Sequence, residues 1–438
     1  MGMLIEARKG PRDARTDAGS PADSSPKLNI VHITPSLSPR AGGPATVAMH
    51  LAAAQGALGH AVSIVSSLRA CDTAAFETSA SGVRGFDRVN VRLKRSFSAG
   101  MIPLYRRIIP AADVVHIHGV WEPMLLLAGT MAGRHGVPYL VRPCGMLDAW
   151  SLSQRAMKKK MALWLAHRRL LNKASYIHVL TPEEAASVKA LQIRAPLVTI
   201  PNGVDLREID GAPAEAIFDR VPALRGKPYV LFLGRLHYKK GLDFLAEVFA
   251  RVGQLMPELQ LLVAGPDDGE EVAFRELIGR LGIGGRVHLT GALAGAEKYS
   301  AFKNAALFCL PSQQEGFSNA VIEAMAAGVP VAVSTECHFA EIERVNAGRV
   351  FPLRIEKGVE AVYDLLTKSP MQRTHIGAAG RMYIACNHTW EQVAGRTLGV
   401  YAAVVAARRG RMEMAGRGGG RVTGTVVRGQ LLAVGGER

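Results

Sequence analysis

Two carboxylates eight residues apart, Glu315 and Glu323, lie in the stretch SQQEGFSNAVIEAMAAGVPVAVS, which runs from Ser312 to Ser334. The apolar run ALFCLP ends just before it, and Ser318 and Asn319 are both residue types that start helices. The pattern predicts a strand, a loop holding Glu315, Gly316 and Phe317, and a helix opening at Ser318 or Asn319. The first turn of such a helix leaves N–H groups unpaired and carries partial positive charge, which suits a phosphate. Glu323, deeper in the helix and on the same side if the turn is continuous, can accept two hydroxyls of a ribose. A second candidate set follows the run PYVLFLGR, where Arg235 stands just after the buried residues and Lys240 five positions on, directly before Gly241. Arginine offers a fork and lysine a point charge, so the two can neutralise a departing diphosphate. Lys239 competes with Lys240 for that role, and the adjoining glycine favours Lys240.

The first half of the chain offers further candidates. Gly42 and Gly43 follow the run LNIVHIT and precede an Ala-rich helical stretch. Glycine there lets backbone come close to a bulky ligand at a helix mouth. The run DVVHIHGVW carries His116 and His118 on one face of a strand, with Trp121 just beyond, and Arg142 closes the next run. An H-x-H pair raises a metal site, a buried hydrogen-bonded pair, or a cleft histidine at His118 that bonds a substrate or moves a proton. No nearby Cys, Asp or Glu completes a metal site, so no metal is expected. Trp121 and Arg142 are candidates for the acceptor side of a cleft.

These residues need strands to carry them. Seven short β-branched runs occupy the first half: LNIVHIT, AVSIVSS, VNVRL, DVVHIHG, VPYLVRP, SYIHVLT and PLVTIP. Six occupy the second: PYVLFLGR, LQLLVAG, RVHLTG, ALFCLP, VPVAVS and GRVF. Alternation with helical stretches predicts an α/β fold of two doubly wound parallel sheets facing a cleft. Ligands of such sheets bind at the carboxyl ends of the strands, where every candidate above falls. The expected organisation is a disordered segment 1–26, a first domain 27–205, a linker 206–226 and a second domain 227–388. A helix 389–407 and a flexible basic tail 408–438 complete it.

The 438 residues carry 53 basic and 37 acidic side chains, a net +16. That excess is local. Residues 151–173 hold seven bases and no acid, and residues 408–438 hold seven Arg and two Glu. Met157, Met161, Trp164 and Leu165 fall on one helical stripe within 151–173. The stripe is either a core face with a solvated basic back or a face toward a membrane surface and an anionic, lipid-linked acceptor. A nucleic-acid partner is not expected, because no RNP, KH or helix-turn-helix pattern appears. The sequence has no G-x-G-x-x-G after its first strand, no G-x-x-x-x-G-K-[ST] and no D-x-D. Those absences weigh against a dinucleotide enzyme, a P-loop nucleotidase and a metal-bound diphosphate. Five scattered cysteines without a C-x-x-C fit isolated thiols in a reducing compartment, and no run suits a spanning helix. A cytoplasmic protein with a peripheral contact at the inner membrane face is the expectation.

Taken together, GGPATVA, HIHGVWEP, IPNGVDL, GRLHYKKG and EGFSNAVIEAMAAGVPV resemble family 4 retaining glycosyltransferases of the GT-B fold, over about residues 28–405. The stretch from RPCGML to EEAASV further resembles bacterial members that build exopolysaccharide, capsule or O-antigen repeats. The resemblance implies a nucleotide-sugar donor, with Arg235 and Lys240 on its diphosphate and Glu323 on its ribose. It places Glu315 near the transferred sugar, and the backbone of Gly316, Phe317 and Ser318 along sugar and phosphates. Gly43 would approach the diphosphate from the first domain, and His118 would meet the donor sugar or the acceptor. A last helix including Trp390 would cross back to the first domain. The implied activity is sugar transfer with retention to an acceptor hydroxyl, with a lipid-linked saccharide as acceptor and no cofactor. A sugar-nucleotide epimerase on the same fold and a nucleic-acid binder using the basic surface are the alternatives.

Overall fold

All thirteen apolar runs form strands, and they divide between two parallel sheets as the sequence pattern predicts. The structure is a computed structural model and describes residues 26–38, 43–68, 70–94, 100–153 and 156–417. The expected disordered segment therefore lies almost wholly outside the described residues, as do Gly42, Arg155 and residues 418–438.

The first sheet comprises β1 (Asn29–Ser36), β2 (Ala61–Ser67), β3 (Asn90–Lys94), β4 (Val114–His118), β5 (Tyr139–Arg142), β6 (Tyr176–Val179) and β7 (Leu197–Thr199). Its order is β3-β2-β1-β4-β5-β6-β7, so the winding reverses between β1 and β4. The second comprises β8 (Tyr229–Leu233), β9 (Gln260–Ala264), β10 (Val287–Gly291), β11 (Leu307–Leu310), β12 (Val331–Ser334) and β13 (Gly348–Phe351). Its order is β10-β9-β8-β11-β12-β13, with the reversal between β8 and β11. Every residue of β4, β5, β9, β11 and β12 is buried, as strands covered on both faces by crossover helices must be.

Eight helices serve the first sheet: α1 (Gly43–Ala57), α2 (Thr73–Ser81), α3 (Met101–Ile108), α4 (Pro123–Arg134), α5 (Ala149–Ser153), α6 (Ala156–Ala162), α7 (Arg168–Lys173) and α8 (Pro182–Ala190). The second domain adds α9 (Leu206–Gly211), α10 (Ala216–Arg220), α11 (Leu242–Leu255), α12 (Glu271–Arg280), α13 (Gly295–Lys303) and α14 (Asn319–Ala326). It continues with α15 (Glu341–Arg344), α16 (Ile355–Thr367) and α17 (Pro370–Asn387), and α18 (Trp390–Arg417) ends the described chain.

Three segments differ from expectation. Residues 206–226 are no free linker: α9 and α10 bury Ile209 and Ile217, and Leu224 joins them in the core of the second domain. The last helix does not stop at residue 407 but continues to Arg417, because Arg408 to Met414 hold no proline and a single glycine, Gly410, among good helix formers. Residues 151–173 are not one helix either. They form α5, α6, a π-helical turn at Leu163–His167 and α7.

The chain crosses between domains twice, and the crossings touch. Val204 N–H donates to the His388 carbonyl at 2.8 Å, and Val204 bridges Thr389 in parallel. Gly203 lies against Trp390 so closely that an added Cβ would sit 2.8 Å from the indole. Trp390 then packs with Val47 and Leu51 of α1, and Tyr401, Val404 and Val405 of α18 enter the core of the first domain. The last helix thereby ties the second domain to the first.

Candidate functional site: a cleft between two sheet ends

Between the carboxyl ends of β8 and β11, Gly241 adopts a left-handed φ of 66°, and any Cβ there would meet the Pro311 carbonyl. That turn aims Lys240 inward. Its ammonium pairs with Glu315, whose Oε1 also accepts from the Ser312 hydroxyl at 2.7 Å. The Glu315 and Lys240 side chains are only 9% and 18% exposed, so this is a sheltered ion pair. Glu323 does not join it. The helix α14 begins at Asn319 with Ser318 as N-cap, leaving Glu315 in the loop, and Glu323 pairs instead with Lys298 of α13 at 3.1 Å. Arg235 is the most open member: its side chain is 63% exposed and meets Asp268 at 2.6 Å. Lys239 sets its ammonium over the face of Trp150, 2.7 Å from the ring centroid. Partial burial there, ahead of other influences, brings its pKa down to about 8. The two lysines thus have distinct jobs, one inside the second domain and one holding the two domains together. The Phe317 ring packs on His388 at 6.2 Å and Phe339 at 6.3 Å, which leaves only its backbone for a ligand.

The first domain closes on this surface. The Cα of Gly145, in the β5–α5 loop, lies 3.5 Å from where a Gly316 Cβ would stand. The start of α1 faces the start of α14: a Cβ on Gly43 would lie 3.2 Å from the Asn319 amide nitrogen. Two helix N-termini from different domains therefore converge on one place. Arg142, 2% exposed, donates to Asn202 Oδ1, and Asn202 in turn donates to Asn319 Oδ1 at 2.7 Å. A polar chain runs from β5 through the crossing peptide to the mouth of α14.

His118 lies inside a buried histidine layer instead of on an open cleft wall. It is 1% exposed and is the register partner of Arg142 on β5, while His32 of β1 pairs with His116. His178 Nε2 lies 2.8 Å from the Ile200 carbonyl, so that nitrogen carries the proton. His178 Nδ1 then accepts from His116 Nε2 at 3.3 Å, and His116 Nδ1 accepts from the Tyr401 hydroxyl. A second chain runs from His118 Nε2 to His32 Nδ1 at 2.9 Å and from His32 Nε2 to Gln55 Oε1 at 2.8 Å. Burial, with Arg142 beside them, pushes His32 down to about 4, His178 to about 3, and His116 and His118 well below the ordinary histidine value. These rings are neutral at pH 7. Among the described residues, His32, His116 and His118 bring ring nitrogens within 4.8 Å of one another, a grouping that could hold a metal ion. Bonds between His32 and His118 and to Gln55, Tyr401 and His178 occupy every ring nitrogen of the three except His118 Nδ1, and the Arg142 charge opposes a cation. His118 keeps Nδ1 as a buried lone pair with no partner among the described residues.

Trp121 packs against His167 of the π-turn, ring centroids 5.4 Å apart, with Lys159 of α6 5.5 Å from its centroid. Met157 and Met161, placed by periodicity on a stripe that suited a core, are 86% and 59% exposed. The Trp164 and Leu165 side chains lie outside the described residues. The core-facing reading of that stripe fails for its first two members.

Several residues of the site were not singled out from sequence: His32, Gln55, His178, Tyr401, Asn202, Asn319 as a polar bridge, Lys298, Glu122 and His167. Some signal existed, since LNIVHIT, DVVHIHG and SYIHVLT each place a histidine inside an apolar run. Three strands with a histidine at a similar depth predict a shared layer once the strand order is known.

Two Rossmann-like domains with a cleft at their switch points, lined by helix mouths, cations and carboxylates, define the GT-B class of sugar-transfer enzymes. Residues 214–382 match the family model "Glycosyl transferases group 1", and residues 42–203 match "Glycosyl transferase 4-like domain". The chain is 25% identical over 391 residues to a GDP-mannose:cellobiosyl-diphosphopolyprenol alpha-mannosyltransferase of Xanthomonas campestris, covering 87% of this chain and 98% of that protein. It is 30% identical over 213 residues to a phosphatidyl-myo-inositol mannosyltransferase of Mycobacterium leprae, covering 48% of this chain and 54% of that one. The match thus spans about half the length of the mycobacterial relative. Among solved structures, Anabaena HepE in complex with UDP and glucose superposes with a TM-score of 0.67 at 17% identity, over 86% of this chain and 100% of that one. Sucrose-phosphate synthase from Thermosynechococcus elongatus gives 0.66 at 19% identity, over 87% and 100%. The chain belongs to the group 1, family 4-like glycosyltransferases of the GT-B fold.

Proposed function

We propose that the protein transfers a sugar, with retention of anomeric configuration, from a nucleotide-sugar to a hydroxyl of a lipid-linked saccharide. The observation that carries this reading is the meeting of the α1 and α14 N-termini beside Lys240. Breaking the bond from sugar to diphosphate leaves negative charge on the diphosphate and positive charge on the sugar ring. Unpaired N–H groups at both helix mouths, Lys240 and Arg235 receive the departing charge. Glu323 takes the ribose hydroxyls after yielding Lys298, and Glu315, held by Lys240 and Ser312, faces the transferred sugar. No carboxylate is assigned as a nucleophile on the reacting face. The acceptor hydroxyl therefore attacks from the face the diphosphate leaves and passes its proton to the leaving phosphate oxygen. Closure of the domains at Gly145 and Gly316 limits hydrolysis by water.

The full-length Xanthomonas relative names GDP-mannose and a diphosphopolyprenol acceptor, so those are the first substrates to test. No helix among the described residues is long and apolar enough to cross a membrane. A lipid-linked acceptor would instead be met by peripheral docking through Met157, Met161 and their basic neighbours at the inner membrane face. The deciding experiment is a thermal-shift screen with GDP-, UDP- and ADP-sugars, followed by transfer to a polyprenyl-diphosphate-linked disaccharide. A bound donor at 100 times its Kd adds about 2.7 kcal/mol of stability. Stabilisation by no nucleotide-sugar overturns the reading. Donor turnover to a new sugar nucleotide without any acceptor would favour the epimerase alternative.

A further inference from the structure

Ten buried side-chain polar atoms lack a hydrogen-bond partner among the described residues, and five of them come from one neighbourhood: His118, Trp121, Glu122, Arg142 and His167. An unpaired buried polar group costs about 1–3 kcal/mol, so such a concentration needs a cause. The mechanism above uses neither Glu122 nor His167. His167 is 6% exposed and ends the π-helical turn, a rare element that recurs at functional sites. Its Nδ1 lies 3.0 Å from the Ala162 carbonyl, which can only accept, so Nδ1 carries the proton and Nε2 is a bare lone pair. Trp121 Nε1 is a donor without an acceptor, beside the His167 ring. Glu122 caps no N–H of α4, and its Oε2 is an acceptor without a donor, close to Gly119 at the end of β4.

One indole N–H, the His167 acceptor beside the indole ring and the acceptor of the adjoining Glu122 match a ring bearing several hydroxyls, each of which donates and accepts. We infer that Trp121, Glu122 and His167 form the subsite for the acceptor's sugar ring, deepening the acceptor assignment made above and resting on it. Its chemical class is a neutral pyranose carried on a lipid diphosphate. The hydroxyls donate to Glu122 Oε2 and His167 Nε2 and accept from Trp121 Nε1.

The test uses the full chain, GDP-mannose and farnesyl-diphosphate-linked cellobiose, with other disaccharide heads on the same lipid in parallel. Glu122→Gln and Trp121→Phe each remove one bonding atom at nearly constant shape. His167→Asn keeps an N–H for Ala162 but loses Nε2, whereas His167→Gln places an amide near the Nε2 position. The expected result is a tenfold or greater rise in acceptor KM for E122Q, W121F and H167N, with donor KM within twofold, and partial rescue in H167Q. Unchanged acceptor KM in all three overturns the subsite and leaves the orphan atoms to ordered water only. If the wild type binds a nucleotide-sugar but transfers to no lipid-linked saccharide, the acceptor assignment itself fails. Saturation-transfer NMR with free cellobiose, maltose and mannobiose then reads the subsite directly. A signal lost in W121F and H167N supports it, and no signal with the wild type overturns it.

Discussion

Asn202, on the first crossing between the domains, donates its side-chain amide to Asn319 Oδ1 at 2.7 Å, while its own Oδ1 accepts from Arg142. Asn319 is the first residue of α14, so one amide links a buried arginine of the first sheet to the helix mouth of the second. The Asn202 backbone carbonyl also accepts from His388 Nδ1 on the return crossing, at 3.3 Å. Asn202→Ala removes all side-chain partners from this junction and leaves the buried Arg142 Nη2 unpaired. The expected loss is about 1.5–3 kcal/mol of stability, together with a raised donor KM. Asn202→Asp separates the two effects. A carboxylate keeps Arg142 paired and spares stability, but it cannot donate to Asn319, so donor KM still rises. Denaturant unfolding and donor titration measure the two quantities; equal donor KM in both variants and wild type removes the bridge from the site.

Lys240→Ala is expected to lower kcat by about 10²–10³, the cost of losing one preorganised charge aimed at a departing anion. Its loss also strips Glu315 of its cation in a sheltered position. Arg235→Ala lowers transfer by less, because the side chain is solvent-exposed and already shared with Asp268. Glu323→Ala is expected to act mainly on donor KM if Glu323 takes the ribose as proposed. All three variants retain the wild-type circular dichroism spectrum. Steady-state transfer assays check the order, and wild-type turnover in all three refutes the donor-site assignment.

How far the sequence reached is clearest at these residues. The strands were legible because a parallel sheet buried on both faces requires short β-branched runs, and all thirteen are present. Lys240 was legible because the following glycine marks a turn, and Gly241 does have positive φ. Glu315 and Glu323 were legible as carboxylates but not as separate ion pairs, since Lys298 comes from a helix with no motif of its own. The burial of His118 was hidden for a related reason: it depends on His32, Gln55 and Tyr401, which lie on other elements and meet only through the strand order. The methionines of α6 misled because a stripe at helical spacing records periodicity and not which side faces the core.

Acid should unfold this protein well before its carboxylates are protonated. Burial lowers His32, His50 and His388 to about 4 and His178 to about 3, against an ordinary 6.5 in the unfolded chain. Between those values the unfolded state binds the extra protons. Stability is therefore full above about pH 6.5 and falls as pH drops toward 4, by about 2 kcal/mol per histidine at pH 5. Glu208 runs the other way: burial raises it to about 7, so its contribution is complete below its ordinary value and lost as pH rises through 7. One carboxyl does not offset four histidines. A Tm that drops steeply between pH 6.5 and 5 is expected, and a flat profile over that range shows the histidine layer to be solvated.

Membrane docking through α6 makes a prediction that charge alone does not. Met157 and Met161 are 86% and 59% exposed on one short helix, and the seven bases of residues 151–173 come without an acid. Two methionines entering the acyl boundary each contribute about 1.5–3 kcal/mol at full burial, and each nearby base about 1 kcal/mol toward anionic lipid. Met157→Asp with Met161→Asp should lower partitioning onto vesicles containing one third phosphatidylglycerol by at least tenfold, with nucleotide-sugar binding unchanged. Raising ionic strength weakens the electrostatic share alone, so the wild type keeps a residual affinity in high salt that the double variant lacks. Sedimentation with sucrose-loaded vesicles reads both effects, and equal partitioning of wild type and double variant moves the docking surface away from α6.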